Sequence, residues 1–520
     1  MAGIQPLRAL RAPVVIATLV VLAGCSGFAG VASEPADSST PAAAQSSPPS
    51  ASADTAAQVD GPVSRLPAAE PLNGTQSLAD ADVTVRGVGA DELGFGAAVG
   101  DVNGDGTPDL VVGAPFHNTS ETRSGAVFVF FGPVAPGDLT VEDADVQLLG
   151  EGRGDWAGNS IAIADVSDDG VGDLIVGAPR YGPDNPGGVY VVYGGSYLNG
   201  TASLGTANAT LTGAVPDSLA GYSVAAANVT GGAAADIVIG APRANDSGPN
   251  SGAVYLVDGQ NVETTGSLTQ ADATFSGATA EDRAGRAVGV AGDVNGDDHP
   301  DLVIGARGAD GASNGSGAAY LVTTTAYPER SSLADAAVTL AGVDSNDDAG
   351  FDVSGAGDVN GDGLGDVLVG APLNDAGGGA AGTVYVVHGS SDLPETVNLS
   401  DAAVRFRGAP GDRAGYSANG VGDVTCDGTD DILVGAPEND TGGENAGAAY
   451  LVAGGTSGEI SPSNATATLT GAAPGDQVGR VDALVSVSGE ETTGLVVGAP
   501  FGESPPSVHV VYAGCAAPDN

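Results

Sequence analysis

Five stretches of this chain place oxygen-bearing side chains at one spacing, D-x-[N/S/T]-x-D-x-x-x-D, which is donor chemistry for a hard cation. Calcium takes six to eight oxygens at about 2.4 Å, from carboxylates, amides, hydroxyls and backbone carbonyls. The first stretch offers Asp101, Asn103, Asp105 and Asp109, with the carbonyl of Thr107 as a further donor. The second offers Asp165, Ser167, Asp169 and Asp173 with Val171, and the third Asp293, Asn295, Asp297 and Asp301 with His299. Then come Asp358, Asn360, Asp362 and Asp366 with Leu364, and Asp423, Thr425, Asp427 and Asp431 with Thr429. Three carboxylates in one tight loop repel unless a cation neutralises them, and acids that serve only as surface charge need hold no such register. Magnesium fits less well because it demands a stricter octahedron.

The opening "DVNGDG" also begins an EF-hand loop, but the twelfth position, which there carries a bidentate Glu, is Val112. The run after it, "LVVGAP", is β-branched and ended by Gly and Pro, so it predicts a strand. The expectation is therefore a calcium loop inside a β-hairpin. Two further stretches keep the spacing without the chemistry: Asn228, Thr230, Gly232 and Asp236, and Ser486, Ser488, Glu490 and Gly494. Each retains one carboxylate. Five sites and two empty hairpins are expected, with affinities of order 10⁻⁴–10⁻³ M and a structural role, the ion pinning the hairpin.

The elements that position these loops repeat. The Gly of "GAP" or its variant falls at 113, 177, 240, 305, 370, 435 and 498. Each copy carries four short apolar segments, as in "FGAAVGDV", "DLVVGAP", "GAVFVFFG" and "DVQLLG". Four strands per repeat without helical periodicity predict one blade of a β-propeller, and seven copies predict a closed all-β ring. After "SVHVVYAG" the seventh copy lacks a fourth strand, whereas "DVTVRG" at 82–87 precedes the first copy and has that pattern. The N-terminal strand should complete the last blade.

The pattern "G-F-G…D-V-N-G-D-G-x-x-D-L-x-V-G-A-P" resembles the FG-GAP repeat of the integrin α-subunit N-terminal propeller, over roughly residues 79–515. The "FG" element survives at Phe95-Gly96, while other copies read "AGNS", "AGYS", "AGRA" and "VGRV". The resemblance implies calcium sites on the face opposite the main ligand surface. No domain is inserted between blades as in some integrin α subunits.

The chain has 520 residues and a formal charge of −49, and its sixteen basic residues are all Arg. Acidity of this order excludes nucleic acid and anionic membrane surfaces as partners. At roughly 1 M salt, where the Debye length is about 3 Å, the self-repulsion is screened. The lysine-free, Asp-rich composition resembles that of haloarchaeal surface proteins. Residues 1–24 have the layout of a secretory signal, and Leu22-Ala23-Gly24-Cys25 resembles a lipobox in which Cys25 is lipidated, anchoring the exported chain at the outer face of the cytoplasmic membrane. An uncleaved apolar anchor is the other reading. Residues 25–78, rich in Ser, Ala and Pro, are expected to form a stalk, and 516–520 a short tail. Ten N-x-[ST] sequons begin at Asn73. Cys426 and Cys515 fall on one face of adjacent blades, placed to form a disulfide; two free thiols is the alternative.

Loops joining the fourth strand of one copy to the first of the next vary most. Trp156 lies in one of them, and Tyr222, Phe351 and Tyr416 sit at neighbouring strand starts, forming either a sugar- or peptide-binding ring or the rim of the core. "RGD" at 153–155 is a chance tripeptide in a Gly/Asp-rich chain. The four His fall in different elements, and no nucleophile motif or zinc-ligand pair stands out, so no enzyme is expected. The reading is a calcium-stabilised, surface-anchored module that binds an extracellular protein or glycan. A passive envelope component is the alternative, and a polysaccharide-processing enzyme comes third.

Overall fold

A computed structural model describes residues 71–514 except 90, 324–326, 481–483, 489–492 and 503–504. The signal and stalk region through residue 70, Cys25, Glu490 and Cys515 lie outside the described residues. The described chain forms seven sheets, one per copy, six of them built on four sequential antiparallel strands and the seventh on three joined by an N-terminal strand. The first blade runs Ala97–Gly100, Asp109–Ala114, Ala126–Phe130 and Val146–Leu149. Its second strand is buried at every position, as are its counterparts Asp173–Ala178, Asp236–Ala241, Asp366–Ala371 and Asp431–Ala436. A strand packed on both faces by neighbouring blades has no polar side to present, which is why these segments read as continuous apolar runs rather than alternating ones.

The core is accordingly interblade. Val111, Val129 and Leu148 of the first blade pack with Leu174, Val176 and Tyr190 of the second, and the other clusters repeat this pattern around the ring. The "GAP" glycine exists for the same contact. A Cβ on Gly113 would collide with the carbonyl oxygen of Gly158 in the adjacent blade, and one on Gly177 with that of Gly221. Only glycine lets the second strand end this close to its neighbour.

The ring closes as expected. Val83–Arg86 pairs antiparallel with Ser507–Ala513 and supplies the missing fourth strand of the last blade. Closure goes one step further, because Gly74–Ser77 pairs in parallel with the fourth strand of the sixth blade, Ala467–Thr470. That strand falls within the segment expected to be stalk from its composition, so the folded domain begins before residue 79.

Gly74–Ser77 belongs to a recurrent outer strand absent from the sequence reading. Between its third and fourth strands each copy reaches back to the preceding blade, as Gly200–Ser203 does to Val146–Leu149. Arg330–Ser332, Thr396–Asn398 and Gly458–Ile460 do the same, and the second blade receives only a single bridge, Thr212 to Ser267. A single 3-10 turn follows, commonly opened by a serine such as Ser77, Ser203 or Ser332 whose hydroxyl accepts the N–H two residues on. Its leucine is buried, as at Leu78, Leu204, Leu268, Leu333 and Leu399. The outer strand thus covers the exposed blade edge with backbone hydrogen bonds, and the leucine locks it.

Candidate cation loops and the axial mouth

Antiparallel order puts the loops between first and second strands on one face, and the loops joining blades, together with those between second and third strands, on the other. The hairpins at 101–109, 165–173, 293–301, 358–366 and 423–431 all lie on the first face and share one geometry.

The first-position carboxylate organises the turn. Asp101 accepts from the backbone N–H groups of Gly104 at 2.7 Å and Gly106 at 2.8 Å, and Asp358 accepts from Gly361 and Gly363 at 2.7 and 2.8 Å. The fifth-position carboxylate accepts the seventh-position N–H, as Asp105 does from Thr107 at 2.8 Å and Asp427 from Thr429 at 3.0 Å. The sixth position adopts a left-handed backbone, at φ 86° in Gly106 and 66° in Asp298, which explains the glycine there in four of the five loops.

The ninth-position Asp does something different. Asp109 accepts from Val102 N–H at 2.9 Å and from Gly132 N–H at 2.8 Å, tying the hairpin to the exit of the third strand. Asp173, Asp301, Asp366 and Asp431 bond the corresponding start of their own hairpins. All five are buried, and burial raises each carboxyl above its ordinary pKa, that of Asp301 to about 7. Asp236, in a hairpin with no other carboxylate, makes the same bonds to Val229, Thr230 and Gly259 and is raised for the same reason. The ninth Asp is therefore a staple first, and this role was not drawn from the spacing.

Among the described residues, one loop draws one ligand atom from each of three carboxylates within 4.8 Å: Asp423, Asp427 and Asp431. That separation is about twice a calcium–oxygen distance, so the three oxygens fit around a single ion. The other four loops hold the same donor types on the same turn. In the 228–236 hairpin Asn228 donates to the Gly232 carbonyl, so a neutral hydrogen bond spans the loop instead. Cys426, at the fourth position of the sixth loop, is disulfide-bonded, and its expected partner Cys515 lies outside the described residues.

The opposite face carries a second ring that the sequence reading passed over as variable loop. Asp91, Asp155, Asp282, Asp347, Asp412 and Asp476 each precede a loop glycine by three residues, and all are buried. Each caps its own loop, as Asp155 does by accepting from Gly152 N–H at 2.9 Å and Asp476 from Ala473 N–H at 2.7 Å. Burial raises the pKa of Asp155, Asp282, Asp347, Asp412 and Asp476. The next residue is left-handed in all seven loops: Glu92, Trp156, Leu219, Arg283, Asp348, Arg413 and Gln477. Six side-chain types stand at these seven positions on one strained backbone, a feature that concentrates at functional sites.

At the axis these loops surround a cavity of about 350 Å3, lined by residues that include Phe95, Tyr222 and Tyr416 together with Arg286 and Arg480. Tyr222 and Tyr416 line this mouth, and the buried Phe351 packs 4.5 Å from Tyr416, so members of both the expected ring and the expected rim are present. Trp156 stands behind them, its ring 5.0 Å from that of Phe116, which lines the cavity. The arginines were missed, although their positions, one residue after a loop glycine, match those of the aromatics in other copies.

The FG-GAP repeat family model matches residues 93–130, 157–192, 284–322 and 349–387. The chain carries FG-GAP repeats. They build a seven-bladed propeller like that expected from the resemblance to integrin α subunits. Human phosphatidylinositol-glycan-specific phospholipase D is 35% identical over 31% of this chain and 20% of its own length. Chicken integrin alpha-V is 31% identical over 44% of this chain and 21% of its own. Chicken integrin alpha-8 is 28% identical over 42% of this chain and 20% of its own. The chain thus spans about a fifth of the length of these relatives. The FG-GAP hairpins at 423–431 and 228–236 both fall outside the segments matched by the family model.

Proposed function

We propose that this FG-GAP propeller is a calcium-stabilised extracellular binding module, tethered through a lipidated Cys25. The observation that carries the reading is the division of labour between its faces. One face repeats a hard-oxygen donor set in five hairpins, and the other varies the side chain on one loop backbone, with six residue types at seven positions. A rigid scaffold that presents variable loops is the usual arrangement of a recognition surface.

Calcium suits the donor set, and its chemistry here is neutralisation of the crowded carboxylates. Asp423, Thr425, Asp427 and Asp431 would hold the ion in the sixth blade, and the corresponding residues would hold it in the first, second, fourth and fifth. The integrin α relatives favour binding over catalysis. The phospholipase D match names an activity of that protein and covers a fifth of its length. The signal-like layout of residues 1–24, the lipobox-like Leu22–Cys25 and the Ser/Pro-rich segment after it support a location outside the cell, where molar salt would screen its charge.

The test is a screen of glycans and envelope proteins against the full chain in molar salt, with calcium present and then chelated. A specific, calcium-dependent hit supports the module. No hit, with co-purification in a surface lattice, favours a passive envelope part, and polysaccharide turnover favours an enzyme.

A further inference from the structure

At the mouth of the axis, rings and guanidinium groups alternate in one continuous arc. The Arg286 guanidinium lies 3.5 Å from the ring centre of Phe351 and 5.6 Å from that of Tyr222. Phe351 packs 4.5 Å from Tyr416, and Arg480 lies 5.3 Å from Tyr416 and 5.0 Å from Phe501. Arg286 and Arg480 both line the 350 Å3 cavity. Arg283, Arg307 and Arg413 nearby each form an ion pair, but among the described residues Arg286 and Arg480 form none. Arg286 donates to the Phe351 carbonyl at 2.6 Å and Arg480 to the Gln477 side chain at 2.6 Å. In a chain of charge −49, two half-buried arginines without a carboxylate at contact distance are a site held open for an acid. Glu92 is the one acid that lines the cup; it forms no ion pair with either arginine, although it feels the charge of Arg480, as Asp348 outside the cup feels that of Arg286.

The surroundings narrow the ligand. Rings stand beside the guanidinium groups, leaving in-plane N–H edges that the two coplanar oxygens of a carboxylate can meet bidentately. The cavity is a compact cup at the small end of ligand-pocket size, not a groove that could follow an extended peptide. Tyr222, Tyr416, Phe95 and Phe116 offer apolar ring faces beside the charge. We propose that the axial mouth binds a carboxylate-bearing sugar of the uronic acid type, its acid paired with these arginines and its ring laid on the aromatic wall. The proposal rests on the binding-module reading and gives it a site and a ligand class. Pairing in contact with half-buried guanidinium groups is screened far less than an interaction across open solvent, so it survives in molar salt where long-range steering does not.

Sodium glucuronate titrated into the full chain in molar potassium chloride tests this, followed by calorimetry and by the emission of Trp156, the single tryptophan. Saturable binding is expected, with none for glucose and at least a tenfold loss in Arg286→Gln and in Arg480→Gln. Arg480 makes only a side-chain to side-chain hydrogen bond, so Arg480→Gln spares the backbone, and an unchanged calcium titration verifies its fold. Failure of glucuronate to bind the unaltered chain, or equal binding by the variants, overturns the proposal, and glutamate binding as tightly as glucuronate overturns the sugar assignment. Screen hits that persist in the double variant would remove this site while leaving the binding-module reading intact.

Discussion

The hairpins at 423–431 and 228–236 share a fold and differ in chemistry. Both hang from a buried aspartate, Asp431 or Asp236, that accepts the backbone N–H groups at the start of the loop and at the exit of the third strand. Around Asp431 stand Asp423 and Asp427, whereas the matching positions near Asp236 hold Asn228 and Gly232. The turn therefore does not need a cation to exist. In both hairpins the ninth-position carboxylate holds it, and the donor set proposed for a cation differs between them at positions one and five.

Removing the staple should have the largest effect and should not distinguish the two loops. Asp236→Ala orphans the N–H groups of Val229, Thr230 and Gly259, and Asp431→Ala those of Thr425 and Gly454. Each buried donor left unpaired costs about 1–3 kcal/mol, so a loss on the order of 4 kcal/mol is expected in chelator for either variant, measured by thermal or denaturant unfolding. In calcium, Asp431→Ala should lose more than Asp236→Ala, because it also loses an ion. Equal losses in calcium would show that no ion sits in the sixth blade.

The next effect isolates the ion. Asp427→Asn leaves the staple in place and removes one charge of the three-carboxylate cluster. A ligand at a hundred times its dissociation constant stabilises by about 2.7 kcal/mol per site, so this variant should forfeit an increment of that order in calcium, but in chelator lose nothing or gain slightly, since it relieves repulsion among the carboxylates. Calorimetric titration of the unaltered chain should count about five ions, and about four in the variant.

Ring, strand order and closure were legible in the sequence because a repeat of about 64 residues and an unpaired terminal strand are properties of order along the chain. The outer strands were not. Gly200–Ser203 is exposed throughout and polar, since it is bound to its neighbour only by backbone, and such a strand carries no alternation to read. The recurring Ser-Leu before each fourth strand, at 77–78, 203–204, 267–268 and 332–333, was the available signal. In the hairpins the donor spacing gave the cation chemistry, but the ninth Asp looked like one ligand among four because its partners, such as Gly132 for Asp109, lie twenty-three residues away. At the mouth, Tyr222, Phe351 and Tyr416 were visible as aromatics at strand starts. Arg286 and Arg480, at the same register, passed as ordinary charge.

Restoring the lost chemistry is a stricter trial than removing it. Asn228→Asp with Gly232→Asp rebuilds carboxylates at positions one and five around an intact Asp236. Gly232 has a negative φ, and a Cβ there would meet only ordinary van der Waals contacts, the nearest being Gln260 Nε2 at 3.4 Å, so an aspartate fits without strain. In chelator the double variant should be less stable by about 1 kcal/mol, because three carboxylates then repel across a few ångströms at the surface. In calcium it should recover, and the titration should gain a sixth ion. A variant that stays destabilised in calcium would mean that the hairpin needs more than its donor set.

The smallest effect is a slope with pH, and it too should separate the loops. Burial raises the Asp236 carboxyl above its ordinary value of 3.8, so the folded chain keeps a proton that the unfolded chain has released. Unfolding then releases a proton over the interval between the two values. The stability contributed by this group is therefore greatest below about pH 4 and declines as the pH rises through the folded value. Asp236→Asn has no proton to release there, so its melting temperature should fall less than that of the unaltered chain as pH is raised from 4 to 8. In saturating calcium the same comparison at Asp431 should show no such decline in the unaltered chain, since the ion compensates the buried charge that Asp236 must bear alone. A parallel decline at both aspartates would mean that the two hairpins differ only in surface charge.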